Sequence, residues 1–146
     1  MSEFIFEYYV FVLLAALGAI QIGAAAGRLK GLLLLKHHTA SVCLGVVLVA
    51  AAPVWFFSTG ERNINDFDGS ITANGQALYA FLGSITALVS TLAVSSLINI
   101  RLGRDALPPF GGLHSLREAN YLIAIIGNLR YWTRAWRKLT SSYFFG

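Results

Sequence analysis

The chain has 146 residues, 56% of them hydrophobic and 12% charged, with a net charge of +4. Soluble domains carry roughly 25% charged residues, so an ordinary soluble enzyme is disfavoured, and the apolar richness excludes a disordered chain. A single cysteine excludes a disulfide scaffold.

The first element is an apolar helix over residues 4–27, with no charge between residues 8 and 27. A helix needs ~20 apolar residues at 1.5 Å each to cross a bilayer, so this is read as a first span. Ala24 and Ala26 form an A-x-A pair of the kind that signal peptidases cut. A signal peptide is positive before its apolar core, however, and here Glu3 and Glu7 occupy that stretch. Ala15, Ala19, Gly23 and Gly27 recur every four residues. Small residues at that spacing let helix backbones approach closely in lipid, so this face is expected to pack on the third span. Gln21 is strongly polar within an apolar helix, and its amide needs a partner. A hydroxyl of the third span is the expected one.

A short basic loop follows at 28–38, with Arg28, Lys30, Lys36, His37 and His38. The second span is expected at 39–57. It holds Cys43, read as a small apolar residue, and Pro53, expected to kink the last turn. Residues 58–75 form the next loop. Asp66 and Asp68 before Gly69 look like part of a calcium loop, but Ile64 and Gly75 stand where further ligands belong. The loop is therefore read as a solvated turn. Tyr8, Tyr9, Trp55, Phe56, Phe57, Tyr79 and Phe81 cluster at this side, where amphipathic rings favour the interface.

The third span is expected at 76–100. Gly83, Ala87, Thr91, Ser95 and Asn99 form its small-residue stripe, with Ser84, Thr86, Ser90 and Ser96 adding hydroxyls. Residues 101–114 hold Pro108, Pro109, Gly111 and Gly112 and read as a linker. Ser115-Leu-Arg-Glu118 matches a capping box and is expected to start a helix over 116–139. Leu122, Ile126, Leu129, Trp132 and Trp136 share one side of it, and Arg130, Arg134, Arg137 and Lys138 the other. That segregation is expected of a helix lying in the headgroup plane, or docked on a partner. The fold class is thus all-α: a polytopic membrane protein with three transmembrane helices and a C-terminal amphipathic interfacial helix in residues 115–146.

Orientation follows from charge. Residues 1–7 and 58–75 hold one basic residue, Arg62, whereas 28–38 and 101–146 hold the other ten. Lys and Arg in short loops stay cytoplasmic. The N-terminus is expected outside and the C-terminus inside, in a bacterial cytoplasmic membrane.

Asn74-Gly-Gln-Ala-Leu-Tyr79, the span ending Ser95-Ser-Leu-Ile-Asn99, and Ser115-Leu-Arg-Glu-Ala-Asn-Tyr-Leu122 followed by Arg and Trp carry a resemblance. Together they resemble the amino-terminal membrane segment that precedes α/β-hydrolase-like domains in some bacterial proteins. The resemblance covers nearly the whole chain and implies an anchor, free-standing here, with no catalytic residue to carry over.

No P-loop, G-x-G-x-x-G, H-E-x-x-H, G-x-S-x-G or CxxC occurs, and no charge lies deep in a span, as proton relays require. The expected function is a non-catalytic accessory or scaffold subunit of a larger membrane complex, respiratory or photosynthetic. Its expected partners are larger membrane subunits and bound lipids; nucleic acid and cofactors are not expected. One alternative is a small membrane enzyme, or a haem- or pigment-binding protein, using His37, His38 or His114. His37 and His38 are the nearest candidates for metal ligands, but no second histidine faces them from another span. Another is a homo-oligomeric channel lined by the third span's hydroxyls.

Overall fold

The computed structural model describes residues 2–58 and 73–101, and a set of positions between 117 and 136. Three long helices dominate it: α1 (Ser2–Ala26), α2 (His38–Ser58) and α3 (Ala73–Ile98). A 3₁₀ turn at Lys30–Leu32 lies between α1 and α2, and no strand occurs among the described residues. The helices coincide with the three expected spans to within about three residues at each end.

Their apolar stretches are 23, 21 and 26 residues long, enough for a hydrocarbon layer of ~30 Å. In an 18-residue apolar window of each, only 22%, 22% and 28% is buried inside the chain, so many of their apolar side chains face outward. Val47, Val54, Phe81, Val89 and Leu97 are among the exposed side chains. An outward apolar surface of that extent belongs against lipid or a partner. The chain is an all-α protein with three helices able to span a membrane.

The central helix is α1, which packs along both α2 and α3. Its contact with α2 closes on two glycines. A Cβ on Gly18 would lie 2.6 Å from the Gly45 carbonyl oxygen, and one on Gly45 would lie 2.7 Å from that of Gly18. Backbone meets backbone there, with no room for a side chain. On the other flank a Cβ on Gly83 would stand 3.2 Å from the Tyr9 carbonyl oxygen. One turn along, the Tyr9 hydroxyl donates to Thr86 Oγ1 at 2.9 Å, and Thr86 donates onward to the Leu82 carbonyl at 2.8 Å. Gly83, Ala87, Thr91 and Ser95 are all buried.

The face expected on α1 is not their counterpart. Ala19 and Gly23 are exposed, and a Cβ on Gly23 would meet nothing within 4 Å. At that depth α1 presents its neighbouring face instead: Ala24 and Ala25 form a buried cluster with Leu32 and Leu33, and Leu92 of α3 packs against it. Gly27 lies just past the end of α1, in the turn that closes it.

The aromatic residues also divide. Phe57 and Phe81 are exposed as expected of interface anchors, but Phe56 is buried. It stacks against Phe11, Phe4 and Tyr8, with ring centroids 5.1, 5.9 and 6.3 Å apart. Pro53 sits within α2, which continues to Ser58.

Candidate functional site

The polar chemistry of the bundle gathers at the end opposite Phe56, where α1 stops. Arg28 N–H donates to the Ala25 carbonyl at 2.9 Å and Leu29 N–H to the Ala24 carbonyl at 2.8 Å. These paired bonds close a helix through a residue in the left-handed region, usually glycine. Here that residue is Arg28, with φ 54°.

The chain then turns back against the bundle, burying Gly31, Leu32 and Leu33. A single 3₁₀ turn pairs only part of that backbone, and in an apolar setting each unpaired group is costly. Three side chains supply the bonds, one from each helical segment. Gln21, fully buried on α1, accepts from Leu34 N–H at 3.0 Å and donates to the Leu32 carbonyl at 3.4 Å. Asn99, just past α3, donates to the Leu33 carbonyl and back to the Ser95 carbonyl, each at 3.0 Å. Ser41 of α2 donates to the Leu35 carbonyl at 3.1 Å. The partner expected for Gln21, a third-span hydroxyl, is thus replaced by the backbone of its own loop. That backbone, non-helical beyond Leu32, has polar groups of its own to satisfy.

A third amide ties in the C-terminal segment. Asn120 is buried beside Ala119. It donates to the Ser96 carbonyl at 2.7 Å, and its Oδ1 accepts from Leu122 N–H at 3.1 Å. Asn120 therefore acts as a cap for the α-helical positions from Tyr121 onward, and the described Ala119 and Asn120 stand outside the helix expected over 116–139. Leu122, Ile126, Leu129 and Trp136 are exposed on the helical positions that follow. Trp132, Arg130, Arg134, Arg137, Lys138 and His114 lie outside the described residues, as do the 102–114 part of the linker and Asp66 and Asp68.

Two clefts flank this knot. One, of about 470 Å³, is lined by Lys30, Lys36, Arg101, Asn99, Leu33, Ile98 and Ile100. The other, of about 480 Å³, is nearly all apolar and lies between α3 and Tyr121 and Leu122. Ser96 lines it with a buried hydroxyl that has no partner among the described residues.

His37 and His38 are exposed at the start of α2. Among the described residues no group of three or more His, Cys, Asp or Glu side chains could hold a metal ion. Cys43 is exposed on α2. The Gly18–Gly45 crossing and the Asn120 tie escape sequence reasoning. Each rests on one residue per element, and the usable signal was only a lone glycine or amide amid apolar neighbours.

No protein-family model, curated protein or solved structure matches this chain.

Proposed function

We propose that the chain is a non-catalytic accessory or scaffold subunit of a larger bacterial membrane complex, of respiratory or photosynthetic type, with its basic end in the cytoplasm. The observation that carries this reading is the open face of α1. Ala19, Gly23 and Ala26 lie along one side of the helix and are all exposed, and nothing described approaches Gly23. Small residues at that spacing are how helices dock closely in lipid, where burial of apolar surface gives little drive. Within the chain that device is used at Gly18, Gly45 and Gly83, which leaves the α1 face for a helix from elsewhere. The exposed stripe of Leu122, Ile126, Leu129 and Trp136 offers a second apolar contact beside the basic end. The strongly polar buried side chains Gln21 and Asn120 bond to the chain's own backbone, which suits a structural role.

The test is purification of the full chain in mild detergent, followed by mass spectrometry and an absorption spectrum. A larger partner should co-purify with the native chain and be lost from Gly23→Leu. A symmetric homo-oligomer would favour a channel instead, and a haem or chlorophyll band would favour a cofactor protein built on His37 or His38.

A further inference from the structure

We propose that the basic cleft beside the folded-back loop is a binding site for the phosphate-bearing headgroup of an anionic phospholipid. Lys30 and Lys36, from the loop after α1, and Arg101, from beyond α3, line one opening together with Asn99. Among the described side chains the one carboxylate is that of Glu7, near the start of α1, at the far end of the bundle. Three cations are therefore gathered with no carboxylate of the described chain beside them. Like charges held near one another repel, and an arriving anion relieves that repulsion.

The cleft is held in shape before any ligand arrives. Lys30 and Lys36 bracket the segment whose backbone Gln21, Asn99 and Ser41 tie down. Arg101 stands two residues beyond Asn99 and three beyond the end of α3. A site whose backbone is already fixed spends little ordering itself on binding. The ammonium groups suit a phosphate as point charges, and the planar guanidinium can donate two parallel bonds to it.

Phosphate chemistry alone would fit a free anion as well as a lipid. Two features favour the lipid. Leu33, Ile98 and Ile100 share the lining with the cations, so the cleft offers apolar contact directly beside charge, as glycerol and the first acyl carbons require. It also lies where the apolar helices end, the level at which headgroups sit. Basic pockets between membrane helices are the usual setting for such recognition. The site stands whether or not a partner helix docks on α1.

The experiment uses the full chain in neutral detergent, with bound lipid counted by native mass spectrometry. Phosphatidylglycerol, phosphatidylcholine and inorganic phosphate are the three probes. One phosphatidylglycerol should be retained in preference to phosphatidylcholine, and millimolar inorganic phosphate should not displace it. Lys36→Gln or Arg101→Gln should each weaken retention about fivefold, from about 1 kcal/mol per cation. The triple variant with Lys30→Gln added should weaken it more, while Lys30→Arg, Lys36→Arg and Arg101→Lys together should keep it. A separate variant with Arg130, Arg134, Arg137 and Lys138 all changed to Gln removes more charge elsewhere and should change retention less. Equal retention of phosphatidylcholine, or a larger loss from that last variant, overturns the site. Displacement by inorganic phosphate overturns the lipid as its occupant. Circular dichroism confirms that each variant compared is folded, and the charge-keeping triple variant separates lost charge from lost structure.

Discussion

At the scale of single residues, Gln21 shows how a buried amide acquires its partners. It bonds to backbone that the chain passes 11 and 13 residues later. Its need for partners is legible in the sequence, because an amide in an apolar span must be satisfied. Which partners it takes is not legible: nothing in the spacing of residues 28–38 says that a leucine run turns back beneath α1 instead of lying in solvent. Gln21→Leu would strand the Leu32 carbonyl and the Leu34 N–H, at about 1–3 kcal/mol for each buried group left unpaired. We expect a lower melting temperature in detergent and faster tryptic cleavage at Lys30 and Lys36. A native melting curve with native cleavage rates would show that the loop is held by something other than this amide.

Elements follow a different logic. The three helices are readable because lipid thickness dictates length and the hydrocarbon core rejects charge. The stripe on α3 is readable too, since Gly83, Ala87, Thr91 and Ser95 recur every four residues and all are buried. The faces of α1 are not. Periodicity tells which residues allow close approach, and it does not tell which neighbour arrives. Gly18 stands one residue before Ala19, hence about 100° around the helix, and it is Gly18 that meets α2. The two glycines of α1 should therefore respond differently to bulk. Gly18→Ala would drive a Cβ to 2.6 Å from the Gly45 carbonyl oxygen, and overpacking of this kind costs about 1–3 kcal/mol. Gly23→Leu should leave the melting temperature of the isolated chain unchanged while abolishing partner retention. Equal loss of stability from both changes would place Gly23 inside the chain's own packing and remove the open face on which the subunit reading rests.

The whole molecule is polarised. The Tyr9–Thr86 bond near the start of α1 and the Asn99–Leu33 bond beyond its end set α1 and α3 running the same way, with α2 returning between them in sequence. Glu3 and Glu7 thus sit at one end, and Arg28, Lys30, Lys36 and Arg101 at the other. The topology expected from three crossings and the ten-to-one division of basic residues puts the basic end in the cytoplasm. Cysteine labelling of intact cells tests this. Cys43, the one native cysteine, is exposed, so it is first changed to Ser. In that background Asn65→Cys should react with a membrane-impermeant thiol reagent, and Ser141→Cys should react only after permeabilisation. The opposite pattern would reverse the orientation. The consequence reaches beyond topology, because the cytoplasmic leaflet carries the anionic surface potential that draws basic segments. Lys30, Lys36 and Arg101 line their cleft in either orientation, but only a cytoplasmic basic end sets that cleft against the more anionic leaflet.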